Sequence, residues 1–271
     1  MSSSKFALKI LVLSIIASTI IANSIIILSD SHNRHSTALW TLNITAAIAS
    51  SLGIIAICRH GLHGLHGKSY LLLTLGLISW FSADLTLLYY YYALGLEEQK
   101  LVSMVDGLWF LGYGFLSLHL FIILRSLHNI IKQRIVIIVL IISLLFIGYN
   151  VHILLSSEEF IAEVDFTTLL VTIAYPILDL TLIVPSAVIL ISLRKDYQQF
   201  IPWFLSSLSL LINAIADDGY VHDFVSGNSQ NLWIWYLFYV TDFIIISGAL
   251  FWYNRFHISS NKLRRKIRVE P

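Results

Sequence analysis

The sequence has few charged residues, a single cysteine and four prolines. Only 12% of its 271 residues are charged, whereas 57% are hydrophobic and the mean hydropathy is +0.80. A soluble domain carries about 25% charged residues, so this composition argues against a soluble enzyme, a nucleic-acid-binding protein and a disordered chain. The lone Cys58 excludes an intrachain disulfide and a cysteine-based zinc site. We therefore expect an integral membrane protein.

Long apolar segments predict eight transmembrane helices in one all-α bundle. A helix needs about 20 mostly apolar residues to cross the hydrocarbon core of a bilayer. The segments of that length are 6–29, 37–58, 69–93, 104–124, 135–155, 167–193, 201–221 and 233–254. We expect a single transmembrane domain over 1–271, with a short basic tail at 256–271. Pro176 and Pro185 interrupt the sixth segment and predict a kink there.

The charges of the loops predict the orientation of the chain. If the segments alternate in direction, 15 of the 17 basic residues lie on one side, and only Arg34 and Lys100 lie opposite. Basic loops stay on the cytoplasmic side, so we expect both termini in the cytoplasm and the chain in the plasma membrane. The lipid bilayer is then the expected partner, and nucleic acid is not.

Polar residues inside the predicted helices recur in the same order in the two halves of the chain. Successive members are 127, 136, 133 and 136 residues apart, which predicts a four-plus-four tandem repeat with halves at about 5–125 and 132–255. Four is an even number, so the halves would be parallel and related by an axis along the membrane normal. The paired residues are Asn23 with Asn150, Asn43 with Asp179, Asp84 with Asp217, and Asp106 with Asp242.

Six aspartates fall within the outer half of the predicted spans, and no Lys or Arg lies at the same depth. A carboxylate costs a few kcal/mol inside a bilayer, so such residues mark functional sites. Tyrosines at helical spacing share their faces, and we expect an outward-facing acidic and aromatic pocket for a cation, an amine or a polar lipid headgroup. The alternative is that protonated aspartates only hold the bundle together, at about 0.6 kcal/mol for each hydrogen bond. The expected pocket residues are Asp84, Asp106, Asp179, Asp217, Asp242, Tyr113, Tyr175 and Tyr239, with Asp218 as the sixth aspartate.

Histidines suggest two weaker metal sites. Imidazoles can ligate zinc, copper or nickel, and a glycine-histidine tract in a predicted cytoplasmic loop contains His60, His63 and His66. Its basic neighbours suit lipid phosphates as well. Asp218 and His222 are one helical turn apart and offer a second candidate. The sequence predicts no cofactor, and phosphate-binding loops and common hydrolase motifs are absent.

Short motifs resemble the N-terminal multi-span modules of prokaryotic membrane histidine kinases and diguanylate cyclases. In that family a Ser-x-x-Asp opens one helix and a Tyr-Pro-x-x-Asp lies in another. The resemblance implies a sensory input module with an unassigned ligand. No kinase or cyclase sequence follows, so we expect signalling through a separate cytoplasmic partner. The matching segments are Gly76–Asp84, Ser103–Asp106 running into Trp109–Tyr113, Ala174–Asp179 and Ile215–Tyr220.

A second likeness is to eight-span lysoplasmalogenase-like membrane hydrolases, which carry a Gly-Asp, a Phe-x-x-x-His and a Ser-Asp in this order. Asp84, Phe115 with His119, and Asp217 follow the same order. The chain departs from the pattern because alanines precede both aspartates. This likeness implies that Asp84 and Asp217 activate water as an acid and base pair, with His119 as a further catalytic residue. We favour a non-enzymatic ligand-binding module; small-solute or cation transport is a third interpretation.

Overall fold

Eight long helices make up most of the chain in this computed structural model, which describes residues 2–95, 102–157, 161, 164–193, 197–226 and 231–257. This part of the chain contains no strand, so the predicted all-α bundle is confirmed. Each helix is long and apolar enough to cross a membrane, which indicates a membrane protein. The helices are α1 (Ser2–Leu28), α2 (Arg34–His60), α3 (Gly64–Leu94), α4 (Met104–Ser126), α5 (Gln133–Ser156), α6 (Phe166–Ser192), α7 (Tyr197–Val225) and α8 (Trp233–Trp252).

Several predicted features fall outside the described residues. The basic tail predicted at 256–271 is described only at its first two residues, Phe256 and His257. Many of the loop charges on which the predicted orientation depends also lie outside the described residues. These residues are Glu97, Glu98, Lys100, Glu158, Glu159, Glu163, Arg194, Lys195 and Asp196.

Six of the helices pack into a closed ring. Around the ring, α2 contacts α3, α3 contacts α4, α4 contacts α6, α6 contacts α7, α7 contacts α8, and α8 returns to α2. The other two lie outside it, α1 mainly against α8 and α5 mainly against α6. The most apolar windows of α1 and α5 are only 11% and 17% buried, against 33% to 56% in the ring helices. The outer helices therefore expose apolar faces of the kind that lipid tails cover.

The helices that start at one end of the bundle, α2, α4, α6 and α8, define what we call the mouth end; the opposite end is the termini end. Side chains fix two of these starts. Ser103 caps α4 by accepting a hydrogen bond from the Val105 N–H, and Asp106 Oδ2 accepts one from the Ser103 N–H. Asp165 caps α6, and hydrogen bonds from the side chain and the backbone N–H of Thr168 hold the pKa of Asp165 below its usual range.

Two glycines bring α3 and α4 close together. A Cβ on Gly76 would overlap Leu116, and a Cβ on Gly112 would overlap the Trp80 indole. The Trp80 indole instead fits over Gly112 and donates a hydrogen bond to the Trp109 carbonyl, 3.1 Å away. This close packing fixes the face that α4 presents to the centre of the ring.

Helix α6 stays helical through both prolines. Pro176 has no N–H to donate to the carbonyl of Thr172, one turn earlier. That carbonyl lies at the level of the cavity described next, where Thr172 is one of the lining residues. The proline thus leaves a backbone acceptor near the cavity, and the kink itself stays a prediction.

Candidate ligand-binding pocket

A cavity of about 190 Å³ lies inside the ring, toward the mouth end, and all six ring helices contribute to its wall. We call it the ring pocket. It has room for several waters or for a ligand of a few heavy atoms. Neither Lys nor Arg is among the described residues that line it. Its polar and aromatic lining consists of Asp84, Asp106, Asp217, Trp80, Trp109, Tyr113, Tyr175, Tyr220, Tyr236, Tyr239, Phe224, Phe243, Ser103, Thr168, Thr172 and Asn213.

Asp84 on α3 has one carboxylate oxygen available to a ligand. The Trp109 indole Nε1 donates to Asp84 Oδ1 over 3.2 Å, and the Asn43 amide donates to the Asp84 backbone carbonyl over 3.3 Å. Within the described part of the chain, Oδ2 accepts no hydrogen bond and is not fully enclosed by protein atoms. The Asp84 side chain is therefore oriented by Trp109 and keeps one acceptor facing the ring pocket.

Both oxygens of Asp106 already accept hydrogen bonds. The Ser103 N–H donates to Oδ2 over 2.9 Å, and the Tyr175 hydroxyl donates to Oδ1 over 2.7 Å. Asp106 lies in the first turn of α4, where a carboxylate is favoured by the unpaired N–H groups of the helix start. Its presence in the chain thus has a structural explanation, although its side chain also lines the pocket.

Asp217 on α7 is held by two tyrosines. Tyr239 donates to Asp217 Oδ1 over 2.6 Å, and Tyr113 bonds to Oδ2. The Tyr113 hydroxyl also lies 2.6 Å from Asp179 Oδ1. A hydroxyl carries one hydrogen, so Tyr113 donates to one carboxylate at a time. The second hydrogen bond needs a proton on one of the two carboxyl groups.

Two of the five predicted binding aspartates lie behind the pocket wall. Asp179 is 0% exposed and Asp242 is 1% exposed, and neither is among the lining residues. Asp242 accepts hydrogen bonds from Ser209 Oγ and from Asn213 Nδ2, the latter over 3.1 Å. These two residues support Tyr113 and Asn213 from behind, while the three predicted tyrosines do line the pocket.

Sequence reasoning missed the tryptophan that orients Asp84. Trp109 follows Asp106 by three residues and precedes Tyr113 by four, so the three share one face of α4. That spacing was a usable signal. The ring of Tyr175 lies edge-on to both of the aromatic rings, with centroids 6.3 Å from Trp109 and 6.4 Å from Tyr113. Together they form an aromatic wall beside the carboxylates.

The structure does not bring His119 together with Asp84 and Asp217. The His119 side chain is completely buried, and its Nδ1 lies 2.8 Å from Ser69 Oγ. Its ring packs against Tyr70 with centroids 6.1 Å apart, and it is not among the pocket residues. The geometry therefore gives His119 a packing role between α3 and α4.

The two metal candidates do not form clusters. Among the described residues, no group of three His, Cys, Asp or Glu side chains is placed to hold a metal ion. His60 and His66 have ring centroids 6.4 Å apart, but His66 stacks on Trp203, and His63 precedes α3 as its N-cap. At the other site, His222 Nδ1 lies 3.7 Å from Asp223, the next residue along the chain. Both oxygens of Asp218 are buried without a partner in the described part.

Corresponding positions on α3 and α7 line the pocket. Trp80, Asp84 and Leu87 each have a lining counterpart 133 residues later, namely Asn213, Asp217 and Tyr220. On α4 and α8 the separation is 130, which pairs Asp106 with Tyr236, Trp109 with Tyr239 and Tyr113 with Phe243. At this separation Asp106 corresponds to Tyr236, whereas the sequence pairs it with Asp242 at a separation of 136. Asp106 lies in the first turn of its helix, whereas Asp242 is in the middle of α8.

Comparisons of the chain with protein-family models, with curated proteins and with solved structures found no match. The fold and the site define the class of protein as a helical bundle whose described residues form eight helices able to cross a membrane, with an acidic and aromatic pocket inside its ring. The function is accordingly argued from the chemistry of that pocket.

Proposed function

We propose that the chain is a multi-pass membrane protein whose ring pocket binds a small organic cation, such as an amine. The observation that carries this proposal is the open oxygen of Asp84 in a pocket walled by aromatic rings. An ammonium group would place its charge on Asp84 Oδ2 and its carbon atoms against Trp109 and Tyr175. A cation over an aromatic face gains about 2 kcal/mol or more when both are removed from water.

The composition of the wall favours an organic cation over a metal ion. Three to four close oxygen or nitrogen ligands would be needed for a transition metal, and the described residues offer no such group. In two of the three lining carboxylates, each oxygen already accepts a hydrogen bond, from Ser103, Tyr175, Tyr113 or Tyr239. Asp84 thus supplies the charge, while Asp106 and Asp217 hold the tyrosines in place.

Within the same proposal, the module senses this ligand and signals through a separate cytoplasmic partner. The motif residues that suggested a sensor module converge on the ring pocket, because Asp84, Tyr113 and Tyr175 are all lining residues. The mouth end would face outward in the plasma membrane, with both termini inside. The equivalent lining positions on α3 and α7 support the tandem repeat.

A lipid hydrolase is a second candidate, because Asp84 and Asp217 line the same cavity. Asp84 has an open oxygen that could accept a proton from water, whereas Asp217 has both oxygens occupied by tyrosines. Purified protein incubated with lysolipids would yield a hydrolysis product by mass spectrometry if this candidate is right. If no product forms, the hydrolase candidate is wrong and the binding proposal remains.

A thermal-shift screen tests the proposed function. Protein purified in detergent would be heated with methylammonium, ethanolamine, choline, and the neutral carbon isostere of choline. We expect at least one cation to raise the unfolding temperature while the neutral isostere does not. Asp84→Asn would remove the shift. Equal shifts with the cation and the isostere, or no shift with any cation, would overturn the proposal.

A further inference from the structure

A second cavity lies at the termini end, on the outer surface between α2 and the end of α8. It is a groove of about 510 Å³. We call it the arginine groove, and it is separate from the ring pocket in position and in charge. The described residues that line it are Leu52, Ile55, Arg59, Phe251, Asn254, Arg255 and Phe256.

The arginine groove contains two cationic side chains. Arg59 lies in the last turn of α2, and Arg255 lies in the π-helical turn Tyr253–His257 that continues α8. Among the residues that the structure describes, no carboxylate lies within ion-pair distance of either guanidinium. Arginine is suited to phosphate, because its planar group donates paired hydrogen bonds to phosphate oxygens.

Apolar side chains continue the groove toward the middle of the bundle. Ile55 is 44% exposed, Phe251 is 48% exposed and Phe256 is 37% exposed. Ile55 on α2 and Phe251 on α8 each lie one turn nearer the middle of the bundle than the neighbouring arginine, and Phe256 lies next to Arg255. The bundle itself is apolar enough to sit in a bilayer. A ligand with a charged head and apolar tails would meet the arginines and this surface together.

Asn254 fixes the turn that carries Arg255 in the groove. Its amide nitrogen donates to the Leu250 carbonyl over 2.9 Å and to the Leu52 carbonyl over 3.1 Å, which ties the π-helical turn to α2. The side chain is 5% exposed, and Oδ1 has no partner within the described part of the chain. Oδ1 is enclosed by protein atoms, so the contribution of Asn254 to the groove is to hold Arg255 beside α2.

We propose that the arginine groove binds an anionic glycerophospholipid, such as phosphatidylglycerol. The phosphate would bind Arg59 and Arg255, and an acyl chain would lie along Ile55 and Phe251. Basic grooves between helices at a membrane interface bind lipid headgroups in this manner. The proposal rests on membrane insertion, as the proposed function does, but it uses no residue of the ring pocket.

Native mass spectrometry of the detergent-purified protein tests this site. Protein would be mixed with phosphatidylglycerol, with phosphatidylcholine, or with glycerol phosphate, which lacks acyl chains. We expect phosphatidylglycerol to be retained and the other two not. Arg59→Gln with Arg255→Gln would weaken retention by about 30-fold, from the loss of two arginines near the phosphate.

A matched control separates this site from general attraction to basic residues. Arg125→Gln with Arg134→Gln removes two arginines from the same end of the bundle but outside the groove, and should leave retention unchanged. Equal losses in the two double variants, or no loss in the first, would overturn the proposal. If the first double variant unfolds, the single variant Arg255→Gln gives the same test. Choline binding in the ring pocket would be unaffected, so failure of one site is distinguishable from failure of the other.

Discussion

The Tyr113 hydroxyl on α4 donates a hydrogen bond to Asp179 Oδ1 on α6 over 2.6 Å, and both side chains are almost completely buried. No other hydrogen bond to Asp179 is present in the described part, since its Oδ2 has no partner there. A buried carboxyl group with a single partner depends strongly on that partner. Tyr113 therefore links the pocket wall to a layer of polar residues behind it.

Replacing Tyr113 and Asp179 singly and together should show a strong energetic coupling. Tyr113→Phe leaves Asp179 buried without a hydrogen bond, so we expect the free energy of unfolding to fall by about 1–3 kcal/mol. Adding Asp179→Asn should cost much less in that background than in the unchanged protein, because the bond is already gone. Unfolding of all four proteins in one detergent measures the cycle. Additive effects would show that the two residues do not interact.

The single hydrogen of Tyr113 predicts a protonated carboxyl group between Asp179 and Asp217 at neutral pH. The infrared spectrum should contain a carbonyl stretch of a neutral carboxylic acid. Either Asp179→Asn or Asp217→Asn should reduce that band, because the Tyr113 hydroxyl then donates to the one remaining carboxylate and no carboxyl proton is needed. Asp223→Asn is the control, since Asp223 instead accepts a hydrogen bond from Trp235. An unchanged band in both pocket variants would contradict this hydrogen count.

Gly112 should tolerate no side chain. Gly112→Ala would drive a methyl group into the Trp80 indole, and overpacking of this kind costs about 1–3 kcal/mol. The matched variant is Gly114→Ala, two residues further along the same helix. Its added methyl group meets open space, so this variant should be neutral or slightly stabilising. The unfolding temperatures of the two variants measure the difference. Equal temperatures would argue against the close packing of α3 and α4.

Single cysteines test the proposed orientation of the helices. In a Cys58→Ser background, Ser31→Cys lies in the loop between α1 and α2, and Leu62→Cys lies in the loop between α2 and α3. Both positions are exposed. A membrane-impermeant maleimide should label Ser31→Cys in intact cells and Leu62→Cys only after the membrane is opened. The reverse pattern would place the mouth end inside.

The helices were predictable because apolar length is a local property of the sequence. All eight predicted segments match a helix, with ends that differ by at most a few residues. Which aspartate faces the centre was harder to predict, since it depends on how far each helix is rotated against its neighbours. Asp84 and Asp217 face the cavity, whereas Asp179 and Asp242 are turned behind its wall.

Partners across helices were also beyond the reach of sequence reasoning. The spacing on α4 predicts that Asp106 and Tyr113 share a face, but not that Tyr175 of α6 bonds one and Asp179 of α6 the other. The assignment of Trp109 to Asp84 likewise depends on Gly112, which brings α3 and α4 together. Such contacts follow from packing between helices, and no single segment records them.

Titration of choline into protein held in lipid nanodiscs, followed by calorimetry, tests whether Asp84 in the ring pocket binds an organic cation. In the proposed function Asp84 carries the charge that binds the cation, so we expect Asp84→Asn to weaken binding by about tenfold to a hundredfold. Asp223→Asn is a matched control, because Asp223 also accepts a tryptophan N–H, from Trp235 over 2.8 Å, but lies outside the pocket lining. We expect unchanged affinity in that control. Equal affinities in the unchanged protein and Asp84→Asn would contradict it.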